Sequence, residues 1–150
     1  MRVGVLSDTH GVLYDDVLAA LAGVERILHA GDVGQGVLDR LQAIAPVVAV
    51  RGNTDYGSDL PPERLIDLEG RRLLVIHQRG DALALHQPLL EGLAAVIYGH
   101  SHKPEIVWQD GVLYLNPGAA GPSRFGLPRT LAILEIGAEL TPEIVPLGAL

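Results

Sequence analysis

Arg2-Val3-Gly4-Val5-Leu6-Ser7-Asp8-Thr9-His10 stands almost at the start of the chain, and its pattern organises the rest. A short apolar run rich in valine reads as a buried strand. Where it ends, side chains able to bind a metal follow at once. The same succession recurs. Ile27-Leu28 leads to His29-Ala30-Gly31-Asp32, and Val47–Val50 leads to Arg51-Gly52-Asn53-Thr54-Asp55. Leu73–Ile76 leads to His77, and Ala94–Tyr98 leads to Gly99-His100-Ser101-His102. The steps 8, 32, 53, 77 and 100 are nearly even, as one strand plus one crossover would make them. The intervening residues do not match, so the rhythm belongs to secondary structure and not to a sequence repeat.

Working outward, the first two-thirds of the chain alternates strand-like and helix-like stretches. Arg2–Leu6, Val24–His29 and Val47–Val50 read as strands, with helices over Asp15–Ala22 and Gly36–Ala43 between them. Glu63–Leu68 and Arg72–Ile76 flank the hairpin turn Glu69-Gly70-Arg71. Asp81–Glu91 reads as a helix with Asp81 as its N-cap and Pro88 shortening or kinking it. Ala94–Tyr98 is again a strand. The last third changes character. Glu105–Gln109 and Val112–Leu115 flank Asp110-Gly111, a strong hairpin signal. Arg129–Ile136 and Glu139–Pro146 form a second antiparallel pair, with Pro142 and Pro146 confining the latter to a sheet edge. Strands with crossovers followed by hairpins predict an α/β protein with mixed sheets. No low-complexity linker divides residues 1–150, which are expected to form one domain.

Composition narrows the function classes. The 150 residues are 48% hydrophobic and 19% charged, a globular balance. Acids outnumber bases 18 to 11, for a formal charge of −7. That excludes a basic stripe for extended nucleic acid and a polybasic membrane patch. No apolar run approaches the length of a membrane-spanning helix and no leader pattern precedes the first strand, so a cytoplasmic location is expected. The absence of cysteine removes disulfides and thiolate-bound metals, while six histidines leave imidazole and carboxylate sites open.

In open α/β sheets, ligands bind beyond the carboxyl ends of the strands. Asp8 and His10 are two apart and face one way in an extended segment, as do His100 and His102. Gly31, Gly52 and Gly99 precede the polar tips and permit sharp turns that aim them. Taken singly, Asp8 and Asp32 read as turn or cap residues, Asn53-Thr54-Asp55 as an ordinary turn, and His77 as a strand-end histidine. Five such ends together favour convergence on one metal site. His86 reads as a surface or partly buried side chain of a helix, and His29 as a neighbour of the site.

In order, Asp8-x-His10, Gly31-Asp32, Gly52-Asn53-x-Asp55, His77 and Gly99-His100-x-His102 resemble the calcineurin-like metallophosphoesterase superfamily. Asn116-Pro117-Gly118 with Arg124 is most similar to its small bacterial and archaeal phosphodiesterases. The resemblance covers essentially the whole chain. It implies a four-layer α/β sandwich of two mixed sheets flanked by helices, with two divalent metals. Asp8, His10 and His102 would hold the first, Asn53, His77 and His100 the second, and Asp32 would bridge both. Manganese leads the expected metals, with iron, nickel, zinc and cobalt open. Such a pair, about 3.5–4 Å apart, acidifies a bridging water and clamps an in-line phosphoryl displacement. The expected substrate is a small phosphodiester, attacked by the metal-bridging hydroxide.

Two departures from the family pattern bear on mechanism. Many members carry histidine where this chain has Thr54, and that histidine helps protonate the leaving group. Asp55 loses its usual partner with it, and the general acid is left unassigned among Thr54, Asp55 and His29. The ligand histidine is commonly followed by Gly-His, where this chain has Gln78-Arg79-Gly80. Arg79 and Arg124 are candidate phosphate contacts beside Asn53. The alternatives are a phosphomonoesterase or phosphatase, and a non-catalytic scaffold such as the eukaryotic retromer subunit of similar fold with a degraded site. The apolar tail Leu147–Leu150 is a faint sign of a homo-oligomer interface.

Overall fold

A computed structural model describes residues 1–148. The first strands follow the crossover pattern: β1 (Arg2–Leu6), α1 (Asp15–Ala20), β2 (Arg26–His29), α2 (Val37–Gln42) and β3 (Val47–Ala49). β4 (Glu63–Leu68) and β5 (Arg71–Ile76) form a hairpin, and α3 (Arg79–Leu85) leads into β6 (Leu93–Ile97). β7 (Glu105–Gln109) with β8 (Val112–Asn116), and β9 (Thr130–Ile136) with β10 (Leu140–Pro146), are the two further hairpins.

Two mixed five-stranded sheets result, ordered β10-β9-β1-β2-β3 and β4-β5-β6-β8-β7. β1, β2 and β3 run parallel, as do β5, β6 and β8. Parallel strands bring their carboxyl ends to one side of the molecule, which is what places the five polar tips together. β10 is an edge strand, so Pro142 and Pro146, which have no N–H, remove no hydrogen bond from the sheet interior.

Period-two alternation builds the layers. Val3 and Val5 on β1, Leu73 and Val75 on β5 and Ala95 and Ile97 on β6 are buried in the core between the sheets. Leu6 and Ile27 point the other way and meet Val17, Leu21, Val37 and Leu41 of the α1 and α2 regions. Leu74, Ile76 and Val96 face outward from the second sheet and pack with Ala82 of α3. Each fully buried Leu, Ile or Val is worth roughly 1.5–3 kcal/mol. Gly4 is needed because a Cβ there would lie 2.4 Å from Leu21 Cδ2. Arg129 staples β9 to α1 through two nitrogens on Asp16, at 2.8 and 2.9 Å, and its guanidinium lies 4.2 Å from the Tyr14 ring centre.

The third helix departs from expectation. It runs over Arg79–Leu85 with Gln78 at the N-cap position, making no side-chain capping bond, so Asp81 lies in its first turn and is not the N-cap. It stops where His86 becomes extended, two residues before Pro88, because Pro88 disfavours helical geometry at Gln87 and offers no N–H to continue the ladder. Leu147 packs partly against the α1–α2 side of the core and its N–H donates to Arg129 O at 2.9 Å. The tail's last two positions, Ala149 and Leu150, lie outside the described residues.

Candidate metal centre

The loops after β1 and β2 continue side by side beyond their strands. Asp8 N–H donates to Gly31 O at 3.0 Å, His10 N–H to Asp32 O at 2.9 Å and Gly11 N–H to Val33 O at 2.8 Å. Along this extension Asp8, His10 and Asp32 have φ of 55°, 49° and 55°, and across the site His100 and His102 have 72° and 64°. Left-handed backbone is uncommon for residues with a Cβ and costs of order 1–3 kcal/mol each. The strain therefore falls on the side chains being aimed. Of the three motif glycines only Gly31 has positive φ. Gly52 and Gly99 serve a different need than turning: a Cβ on Gly52 would lie 2.1 Å from Asp32 Oδ1, and one on Gly99 would lie 2.0 Å from Ser7 Oγ.

Each carboxylate is held by one oxygen and presents the other. Asp8 Oδ2 accepts from Ser7 Oγ–H at 2.6 Å and from His100 N–H at 3.1 Å, while buried Oδ1 has no hydrogen-bond partner among the described residues. Asp32 Oδ1 accepts from Thr54 N–H at 3.0 Å. Its Oδ2 faces His77 Nε2 at 3.4 Å and His10 Nε2 at 3.9 Å. Asp8 Oδ1 in turn faces His102 Nε2 at 3.3 Å and His10 Nε2 at 3.7 Å. Two trios emerge, Asp8–His10–His102 and Asp8–Asp32–His77, with candidate ligand atoms in each within 4.8 Å of one another.

The donor set suits a cation. His77 Nδ1 donates to Ala30 O at 2.7 Å, which turns Nε2 toward Asp32 Oδ2 at 3.4 Å and toward the Asn53 amide at 3.0 Å, an amide whose two ends are both satisfied with its nitrogen facing Asp32. Burial opposes charge on His77, but Asp32 and the Ala30 carbonyl outweigh it and raise its pKa. Burial likewise works against charge on Asp32, yet hydrogen bonds from His77 and the Thr54 amide hold its carboxyl well below the usual range. His10 is shifted down by burial and by Arg124, against the pull of Asp32 and Asp8, which favours the neutral imidazole a metal requires. His10 Nε2 and His102 Nδ1 join Asp8 Oδ1 as buried atoms without partners among the described residues. Buried polar atoms are normally paired, so three orphans in one cluster fit a metal.

His100 stands apart from both trios. It is exposed, and its ring meets His77 edge-on at 5.2 Å between centres. Arg124 lies near enough to His10 to depress its pKa, and Phe125 beside it packs edge-on against His102 at 5.9 Å. Arg79 is half-buried over the Tyr114 ring, 3.7 Å from Glu105, which also accepts a hydrogen bond from Tyr98. It lines a cavity of about 260 Å³ next to His100.

The three candidates for proton chemistry have other occupations. Asp55 accepts from the N–H groups of Val33, Gly34 and Gly52, tying the β2 and β3 loops together. Thr54 reaches Asp32 through its backbone. His29 is fully buried, with Nδ1 accepting from Gly31 N–H at 3.1 Å and Nε2–H donating to Thr9 Oγ1 at 3.0 Å. Burial pushes its pKa down to about 4, so it stays neutral and structural. Ser7, which no motif singles out, and Asn116, which enters only as part of Asn116-Pro117-Gly118, position the site. Asn116 Nδ2 donates to Gly99 O at 3.2 Å and Ser101 Oγ at 3.1 Å, bracing the loop that carries His100 and His102. Its sequence signals are the Asn116-Pro117-Gly118 motif and a polar residue closing an otherwise apolar strand, and neither points to this bracing role.

Comparison with known proteins agrees with this geometry. The family model of the calcineurin-like phosphoesterase superfamily domain matches residues 1–139. The chain belongs to this superfamily. A probable metallophosphoesterase of Methanothermobacter thermautotrophicus is 37% identical over 162 residues, covering 99% of this chain and 94% of the relative. Phosphodiesterase YfcE of Escherichia coli is 29% identical over 134 residues, or 83% of this chain and 71% of YfcE. The solved structure of that phosphoesterase superposes with a TM-score of 0.68 at 27% identity, covering 90% of this chain and 88% of YfcE. Vps29 of Entamoeba histolytica, solved with Zn²⁺, shares the fold at a TM-score of 0.77 and 24% identity, covering 97% and 99% of the two chains.

Proposed function

We propose that this phosphoesterase-family chain is a dinuclear metal-dependent phosphodiesterase acting on small diesters, with manganese as its working metal. Asp8, His10 and His102 hold one cation, Asn53, His77 and His100 the other, and Asp32 spans both. The observation that carries the reading is the position of Asp32 Oδ2, which faces one histidine from each set, His10 at 3.9 Å and His77 at 3.4 Å. When bound, the two cations supply an acidified water and neutralise phosphate charge for in-line displacement.

The chain's own residues orient and select. Ser7, the His100 amide and the Thr54 amide fix the two carboxylates before substrate arrives. Arg124, beside His10, is the cation that meets a phosphate oxygen there. Arg79 meets substrate on the His100 side, its charge shared with Glu105. Thr54 is a poor acid at neutral pH and neutral His29 is committed to Gly31 and Thr9. With Thr54, Asp55 and His29 all otherwise engaged among the described residues, diesters of acidic alcohols, which leave as anions, are the favoured substrates over monoesters.

The test is metal analysis together with hydrolysis of bis(4-nitrophenyl) phosphate, with and without Mn²⁺. Two metals per chain and Mn²⁺-dependent turnover are expected. Asp32→Asn and Asn53→Ala should each lose at least about a hundredfold in metal affinity or activity. Inactivity of the wild-type chain with every metal and ester tried would return the scaffold reading.

A further inference from the structure

A cleft of about 480 Å³ opens between the loops after β2 and β3, one residue along the chain from the candidate ligands Asp32 and Asn53. Thr54 belongs to its wall, and the same residue's N–H holds Asp32 Oδ1 at 3.0 Å. Thr54 is thus the residue that joins the cleft to the carboxylate proposed to span the two cations. Leu38 and Leu60 line it with Val33, the polar side chains of Gln35 and Ser58 join them, and Tyr56 stands on the rim. Tyr56 is 91% exposed, an aromatic face held in solvent at the mouth of a cleft of mixed polar and apolar lining.

The charge of the cleft limits what it can take. Among the described residues, no lysine, arginine or histidine lines it. Its single carboxylate, Asp55, is already satisfied by the N–H groups of Val33, Gly34 and Gly52. An anion has no partner here, and a cation would find only a spent one. An uncharged planar group can lay its faces against Leu38, Leu60 and Tyr56, and its edge can meet the Gln35 amide and the Thr54 and Ser58 hydroxyls. The volume lies in the range of small-molecule sites. By contrast, the cavity on the His100 side is lined by the charged pair Arg79 and Glu105.

We propose that this cleft receives one ester arm of the substrate, an uncharged aromatic arm such as a nucleoside or an aryl group. The proposal rests on the phosphodiesterase reading above and narrows it. It selects diesters carrying a planar arm over those with small alkyl arms, because only the former fill the cleft and stack on Tyr56.

The test separates the arm from the chemistry by using adenosine, which has no phosphate for a metal to hold. In the 150-residue chain, metal-free and loaded with diamagnetic Zn²⁺, adenosine should shift the backbone amide resonances of Thr54, Tyr56, Gly57 and Ser58. Tyr56→Ala, a change at an exposed position, should weaken adenosine about tenfold and raise KM for bis(4-nitrophenyl) phosphate by a similar factor, with kcat little changed. Leu38→Trp, which fills the cleft, should abolish adenosine binding. An active Mn²⁺-loaded enzyme whose KM ignores both substitutions, with no adenosine shifts in the cleft, overturns the proposal and leaves the hydrolase reading intact. Adenosine bound in the cleft and lost in both variants, with no diester hydrolysed under any metal, supports the aromatic site and overturns the hydrolase reading.

Discussion

The two ends of the strands use the same unusual backbone for opposite purposes. At the far end, Glu69 and Asp110 have φ of 51° and 54°, each followed by a glycine of φ 76° or 78°. These are the two central residues of tight hairpins, where left-handed backbone is what lets the chain reverse with the twist of the strands. Their side chains are exposed, and a methyl added to either glycine would meet nothing within 4 Å. At the near end, Asp8, His10, Asp32, His100 and His102 adopt the same conformation with no hairpin to close. Four of the five are buried or half-buried there, packed tip to tip. Strain that serves connection at one end serves aim at the other.

Adding a single methyl breaks the comparison most sharply. At Gly99 the methyl would lie 2.0 Å from Ser7 Oγ and 2.7 Å from Asp8 Oδ2, the atoms that hold the carboxylate in place. Gly99→Ala should cost about 1–3 kcal/mol of stability and should also abolish Mn²⁺ binding, read by thermal melts with and without the metal. Gly111→Ala meets no neighbour, so only its φ of 78° is penalised, at about 1 kcal/mol, and the Mn²⁺-induced rise in Tm should survive intact.

Adding a glycine sharpens the same contrast with a smaller effect. His100→Gly and Asp110→Gly each relieve a left-handed residue at an exposed position, φ 72° and 54°. Both variants should gain up to about 1 kcal/mol in metal-free protein, offset in part by the greater entropy of the unfolded chain. Only His100→Gly should lose metal affinity in a Mn²⁺ titration. A His100→Gly protein that binds both metals as the wild type does would remove His100 from the ligand set, the one histidine of that set that lies outside both trios.

Much of this near end is legible in the sequence because burial writes itself as alternation. Val3–Leu6, Leu73–Ile76 and Ala94–Tyr98 announce strands, and parallel order then forces Asp8, His77 and His100 to one side. The family resemblance supplied the grouping of residues that spacing alone leaves open. What is not legible is support from a distance. Asn116 acts on the His100 loop across 17 residues of chain, and Asp55 gathers amides from a loop 21 and 22 residues earlier. No local pattern encodes such pairs. Gly52 and Gly99 look like turn glycines, but what demands them is crowding by Asp32 and Ser7, a three-dimensional fact. The α3 boundary is displaced for a local reason: Asp81 resembles a cap, but Gln78 takes that place because its extended backbone comes straight out of β5.

His86 gives the last and smallest contrast, between histidines facing carboxylates for a metal and one facing them for a proton. Its Nδ1 lies 2.8 Å from Glu91 and its Nε2 2.6 Å from Glu63, joining the end of α3 and the turn before β6 to β4. Both ring nitrogens have an acceptor, so the ring is bound as imidazolium. Glu91 and Glu63 raise its pKa against a smaller opposing effect of burial, and Arg72 stands beside Glu91 as the other charge. A raised folded-state pKa means that the pairing stabilises fully below the unfolded value of about 6.5 and is lost as pH climbs through the folded value. His86→Gln should therefore melt below the wild type at about pH 6, with the gap closing by about pH 9. Because this clamp holds a proton and lies outside the metal cluster, chelator should leave the gap unchanged, whereas Mn²⁺ should raise both melting curves equally. A gap that persists unchanged at high pH would mean that His86 acts through packing and neutral hydrogen bonds, and the contrast with His77 would then be one of position and not of charge.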